Sequence, residues 1–280
     1  MIKVGIVGLG LIGGSIALDL RSLGYQVFGV SRRQQTCQLA LEKKIVDQAS
    51  LDLSLMADVE LVILCTPIAA IIPTIEKLSL YLAPETIITD VGSVKQSIVE
   101  SVGTLWSNFV GGHPMAGTAD AGIQAAQKHL FVDAPYVITP TETTPIAAIK
   151  IVESLAQSLG SHVYFCRPEE HDRAVALISH LPLMVSANLI ATCLGELDRE
   201  ILDLAQKLAS SGFRDTSRVG GGNPELGIMI AQNNQEQLKQ SLYQYRHNLD
   251  YLIELIETEN WQMLAEFLQA TQEARPDFLV

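Results

Sequence analysis

The turn Gly8-Leu9-Gly10-Leu11-Ile12-Gly13 constrains this chain more than any other stretch. It follows a strand-like run, Ile2 to Val7, and opens a helical pattern over 11–23. G-x-G-x-x-G in that setting has one physical reading. Gly8 permits the tight turn, Gly10 lets backbone approach a pyrophosphate, and Gly13 lets the helix pack closely on the strand. The helix start then offers free N–H groups and a positive partial charge to the same anion. A dinucleotide-binding β-α-β unit is therefore predicted, with Leu11 and Ile12 in the binding turn.

Further strands are predicted at 26–30, 59–65, 86–90, 109–112, 136–139 and 162–165, and helices at 34–43, 68–81, 94–105 and 144–159. Apolar strands alternating with helices predict an α/β fold with a parallel, doubly wound sheet. Beyond Cys166 the pattern is helical only. The expected organisation is a Rossmann domain over 1–166 and an all-α substrate-binding and dimerisation domain over 167–280. Leu238, Leu242, Tyr245, Leu249, Leu252 and Ile256 step by four and three, a continuous stripe that reads as a seam with a second subunit, hence a homodimer. Residues 174–195 carry no Asp, Glu, Lys or Arg. Ser179, His180, Pro182, Ser186, Asn188 and Thr192 within them argue for a buried helix, kinked at Pro182, rather than a membrane span.

Of 280 residues, 48% are hydrophobic and 18% charged, which suits a packed core. The net charge of −12 repels a phosphate backbone, so no nucleic-acid partner is expected. Cys37, Cys65, Cys166 and Cys193 have neither metal-ligand spacing nor an accompanying His cluster, so neither a metal nor a disulfide framework is expected. With a strand pattern from the first residues and no signal peptide, a cytoplasmic location is expected.

The end of the second strand selects the cofactor. A carboxylate there would bond a ribose 2′-hydroxyl; this chain has Ser31-Arg32-Arg33, suited to a 2′-phosphate and so to NADP. Cys65-Thr66-Pro67 and Gly92 follow other strands and should line the cofactor crevice. Ser93 is expected to cap the helix beginning at Val94, alone or together with a ligand contact. His113, among Gly111, Gly112, Pro114 and Gly117, has space for a ligand beside it and is the candidate acid or base. Arg214 and Arg218 precede a glycine-rich loop and either grip a substrate carboxylate or, as surface groups, pair with Asp215. Asn223-Pro224 reads as a helix start. Ser179 and His180 are read as buried polar groups in need of partners.

Together these motifs resemble the prephenate/arogenate dehydrogenase family: residues 7–15, Asp90-Val91-Gly92-Ser93-Val94-Lys95, Gly112-His113-Pro114-Met115-Ala116-Gly117, Ser179-His180-Leu181-Pro182 and Phe213-Arg214-Asp215-Thr216-Ser217-Arg218. The resemblance implies oxidative decarboxylation of a cyclohexadienol to a phenol in tyrosine biosynthesis, by a dimer. It implies that His113 bonds the ring hydroxyl, that Ser93 supports it, that Arg218 grips a carboxylate and that Ser179 lines the pocket. Aromatisation drives the reaction, so alignment and a proton acceptor suffice.

Two departures bear on the substrate. Where some prephenate-using relatives have a second His in the helical motif, this chain has Leu183, and where some have a Glu after the His-Pro loop it has Ala119-Asp120. Both favour arogenate, with prephenate as the alternative. A hydroxy-acid or imine reductase of similar plan would rely on a Lys or Asp in the helical half, and there is no Lys between Lys150 and Lys207. A non-catalytic NADP-binding redox sensor would bind cofactor without needing His113. The chain stops at Val280, so no appended regulatory domain is expected.

Overall fold

The structure is a computed structural model and describes residues 2–118 and 120–279. Ala119, at one of the two departures expected to bear on the substrate, lies outside the described residues. The first part is built from strands β1 (Lys3–Val7), β2 (Gln26–Val30), β3 (Gln48–Ser50), β4 (Leu61–Leu64), β5 (Ile87–Asp90), β6 (Phe109–Pro114), β7 (Pro135–Thr139) and β8 (His162–Phe165). Helices α1 (Leu11–Ser22), α2 (Gln34–Glu42), α3 (Ile68–Leu78), α4 (Gln96–Val102) and α5 (Ile146–Ser158) connect them. The sheet order is β3-β2-β1-β4-β5-β6-β7-β8. Strand order reverses on either side of β1, which opens a crevice at the carboxyl ends of β1 and β4.

Both faces of the sheet are covered. Ile6 and Ile63 pack with Ile16, Leu20, Val152 and Leu155 on one side. Their neighbours Val7, Val62 and Leu64 pack with Ile71, Ile75, Leu78 and Ile98 on the other. Burial on two faces is why these strands read as continuous apolar runs.

Two features of the sheet differ from the sequence expectation. β3 is a three-residue edge strand, Gln48-Ala49-Ser50, with no apolar alternation to announce it. β7 runs antiparallel to β6, whereas the other neighbouring pairs are parallel. An antiparallel return needs no crossover helix, and residues 123–129 instead lie along α1. There Ser15 Oγ accepts from Gln127 N–H at 3.0 Å, and the buried Asp19 carboxylate accepts from His129 N–H at 3.0 Å.

The second part is helical: α6 (Pro168–Val175), a π turn (Ala176–His180), α7 (Leu181–Leu194), α8 (Arg199–Leu208), α9 (Ser211–Ser217), α10 (Pro224–Asn233), α11 (Gln235–Glu257) and α12 (Trp261–Ala274). Asn223 caps α10, its side chain accepting from Glu225 N–H at 3.0 Å, with Pro224 in the first turn. Pro182 sits at the start of α7, immediately after the π turn, a wider turn of the kind that accommodates a break in the α-helical ladder.

The expectation that residues 174–195 are buried is corrected. The helix Pro168–Leu194 is long and apolar enough to cross a membrane, yet only 22% of its most apolar window is buried. Ser179 is exposed, while His180 is buried. Apolarity showed that this surface needs covering, but within the chain it is covered on one side only. The α11 stripe behaves alike: Leu238 is buried, whereas Leu242, Tyr245, Leu249 and Ile256 are exposed.

Candidate active site

The strand-turn-helix at β1 and α1 forms one wall of a cleft of about 510 Å³. Gly8 has φ +104°, and a Cβ there would stand 2.3 Å from the Cys65 carbonyl oxygen. Its N–H donates to the Val30 carbonyl at 2.9 Å, which ties the turn to the end of β2. A Cβ on Gly13 would stand 2.1 Å from the Gly8 carbonyl oxygen, whereas one on Gly10 would meet nothing within 4 Å. No side chain caps the start of α1. These features fit a dinucleotide: open space at Gly10, uncapped N–H groups, and Thr66 Oγ1, a buried hydroxyl in the cleft wall with no hydrogen-bond partner among the described residues.

Gly8, Gly10, Ser31, Arg32, Arg33, Cys65, Thr66 and Pro67 all line this cleft. Leu11, Ile12, Gly13 and Gly92 lie outside its lining. Ile12 packs on the core, and Gly13 serves the close approach of α1 to β1. Gly92 is buried against Asp90, its N–H donating to Oδ2 at 2.8 Å. Thr74 and Lys77 line the cleft without having been singled out from the sequence. The signal was there: with Ala70 they recur at helical spacing along one face of α3. Burial pushes the Cys65 thiol well above its ordinary range, with Asp90 adding to the effect, so it stays an uncharged wall.

His113 sits at the end of β6, partly buried. Gly112, just before it, is held from below: its N–H donates to Asp90 Oδ1 at 3.2 Å and its carbonyl accepts from Lys95 Nζ at 2.7 Å. Lys95 is fully buried and paired with Asp90. Asp90 and Lys95 thus stitch the segment carrying Ser93 to the strand carrying His113. The helical half adds a second connection: His113 Nδ1 lies 2.8 Å from His171 Nε2, and His171 Nδ1 lies 2.8 Å from Asp172 Oδ1. Burial holds the His113 pKa well below the usual 6.5, reinforced by His171, Lys95 and His180.

Ser93 is not the cap expected of it. α4 begins at Gln96 without a side-chain cap, and the Asp172 carboxylate takes the N–H groups at that end, from Lys95 at 2.7 Å and Gln96 at 2.9 Å. Ser93 itself is partly buried. Gly117 is exposed, with nothing within 4 Å of where its Cβ would be. Arg214 pairs with Asp215 at 3.2 Å on the surface, the bland alternative for that residue. Arg218 is exposed and makes no ion pair among the described residues. No hydrogen bond among the described residues joins Arg214, Arg218 or Ser179 to His113. No group of three or more His, Cys, Asp or Glu among the described residues is placed to hold a metal ion.

Residues 16–165 match the model of the prephenate dehydrogenase nucleotide-binding domain, and residues 167–270 match that of the prephenate dehydrogenase dimerization domain. The chain belongs to the prephenate dehydrogenase family. A crystal structure of a Synechocystis arogenate dehydrogenase is 55% identical, with a TM-score of 0.91 over 99% of this chain and 100% of that one. The prephenate dehydrogenase of Aquifex aeolicus, solved in complex with hydroxyphenyl propionate and NAD+, is 30% identical with a TM-score of 0.93 over 99% of this chain and 98% of that one. The Bacillus subtilis prephenate dehydrogenase is 30% identical over 277 residues, 96% of this chain and 74% of the relative. Members of this family are oxidoreductases of aromatic amino acid biosynthesis. The chain is thus a dehydrogenase whose Rossmann-type nucleotide-binding domain precedes a helical dimerisation domain.

Proposed function

We propose that this dehydrogenase converts arogenate to tyrosine with NADP, as a cytoplasmic homodimer whose Rossmann and helical domains divide after Cys166. One observation carries the cofactor choice: the cleft beside Gly8 and Gly10 is lined at the end of β2 by Ser31, Arg32 and Arg33, with no carboxylate in that turn, and Lys77 faces the same space. Against a net charge of −12, such local cations are what hold an anionic cofactor. Leu183 and Asp120 support arogenate, as does the 55% identity to a structure described as an arogenate dehydrogenase.

A nicotinamide dinucleotide held by Gly8, Gly10, Ser31, Arg32 and Arg33 would supply an acceptor for the hydride on the ring carbon that bears the hydroxyl. The protein's part is alignment and proton transfer. His113, kept neutral by burial, takes the hydroxyl proton, and Ser93 supports that hydroxyl. Arg218 grips a substrate carboxylate, with Arg214, Ser179 and Gly117 around the same pocket. Loss of carbon dioxide then aromatises the ring. The exposed apolar residues of α7 and α11 meet the second subunit, which completes the cover that one chain lacks.

The test is an assay of purified protein with arogenate or prephenate, each with NADP or NAD, following reduced nicotinamide by absorbance. Turnover is expected with arogenate and NADP above the other three combinations. Preferential turnover of prephenate would reassign the substrate, and equal use of NAD would remove the role given to Arg32 and Arg33.

A further inference from the structure

His113, partly buried, is the end of a chain of three groups that crosses from the sheet into the helical half. His171 and Asp172, each 2% exposed, stand at the middle of α6. Asp172 is immobilised from several sides. Its carboxylate accepts from the backbone N–H groups of Lys95 and Gln96, and its carbonyl accepts from Asn234 Nδ2 at 2.8 Å. As a carboxylate, Asp172 is acceptor-only, which fits the two backbone N–H groups it takes. Oδ1, 2.8 Å from His171 Nδ1, then accepts a hydrogen bond from the N–H at that nitrogen.

With its Nδ1 protonated, a neutral His171 has its lone pair on Nε2, facing His113 Nδ1 at 2.8 Å. That contact is a hydrogen bond only if His113 Nδ1 carries the proton. The lone pair of His113 is then on Nε2, the nitrogen turned away from His171.

We infer that His171 is a positioning residue that presets His113 as a base and receives its displaced proton, so that the positive charge formed in turnover rests on His171 beside Asp172. The step balances. The substrate O–H bond breaks and an N–H bond forms at His113 Nε2, while the His113 Nδ1–H bond breaks and an N–H bond forms at His171 Nε2. His113 ends neutral in its other tautomer, and His171 ends as an imidazolium against the Asp172 carboxylate. Burial opposes a charge on His113, which has no carboxylate contact, whereas His171 has one. The groups facing this pair are Asp172, His180, Lys95 and its partner Asp90. Because α6 belongs to the dimerisation domain, the base on one domain is made competent by the docking of the other.

The inference rests on His113 being the base, and two measurements separate the claims. Imidazole ¹⁵N–¹H correlation spectra of the wild-type protein with oxidised NADP should show His113 protonated at Nδ1 and bare at Nε2. A resting Nε2–H tautomer would overturn the inference whatever the variants do. His171→Gln keeps an acceptor for His113 Nδ1–H but cannot hold the charge, and His171→Leu supplies neither. Glutamine should preserve the His113 tautomer while kcat falls roughly 100-fold at unchanged substrate KM, and leucine should lose both. An unchanged kcat in His171→Leu alongside an inactive His113→Asn would remove the relay and leave the base. An active His113→Asn would remove the base itself.

Discussion

Gly220 is docked on the backbone of α7 at Ser186. Its N–H donates to Ser186 Oγ at 2.8 Å, and Ser186 Oγ donates onward to the Thr216 carbonyl at 2.9 Å. A Cβ at Gly220 would stand 2.3 Å from the Ala187 nitrogen, so only glycine fits. Arg218 lies between the two clasped positions, so its backbone is held on both sides. Ser186→Ala removes both bonds, whose Gly220 and Thr216 ends are not fully buried, and is expected to cost about 0.5–1.5 kcal/mol of stability. Thermal unfolding checks that cost, and substrate kinetics should show a raised KM with little change in kcat. An unchanged KM would separate Arg218 from substrate binding.

The three glycines of the first turn make opposite predictions at two positions. Gly13→Ala places a methyl 2.1 Å from the Gly8 carbonyl. Overpacking of this kind costs about 1–3 kcal/mol or more, so Tm should fall. Gly10→Ala meets no protein atom within 4 Å and should leave Tm unchanged while cofactor affinity drops, because the methyl occupies space meant for phosphate. Calorimetry and titration with NADP distinguish them. Retained affinity in Gly10→Ala would mean that the cleft does not hold the dinucleotide there.

Arg32 is exposed at the end of β2, in the cleft lining. Arg32→Ala is expected to weaken NADP by about 1.5–3 kcal/mol, as for a lost charge-assisted hydrogen bond, and to leave NAD nearly unaffected. Isothermal titration with both cofactors measures this, and equal losses would contradict it.

Much of this was legible in the sequence. β1, β2, β4 and β5 are short apolar runs bounded by turn residues, and the glycine turn and Ser31-Arg32-Arg33 fell at the cleft because strand ends meet there. What was not legible depended on distance or on missing pattern. His171-Asp172 sits in Pro168-Glu169-Glu170-His171-Asp172-Arg173, which reads as a solvated helix start, and its partner His113 is 58 positions away. Ser93 looked like a cap because Ser before a helix usually is one; here a carboxylate from another domain does that work. The antiparallel turn of β7 left no mark, since strand direction is not written in hydrophobic pattern.

Acid should destabilise the protein in a definable window. Burial lowers the His180 pKa from 6.5 to about 4, against the pull of Asp172. The folded state then resists a proton that the unfolded chain accepts, so stability present above pH 6.5 is lost as pH falls toward 4, on the order of 3 kcal/mol. His113 is lowered as well and acts in the same direction. Urea unfolding at a series of pH values checks the slope. Replacing His180 with Gln should flatten it, and an unaltered slope would assign the acid loss elsewhere.

Turnover requires His113 to take a proton beside a cofactor seated at the glycine turn. The direct measurement is single-turnover kinetics of His113→Asn with arogenate and NADP, paired with NADP titration. The expected result is a loss of roughly 10²–10⁴ in rate with NADP affinity within about twofold of wild type. Wild-type turnover in that variant would contradict it.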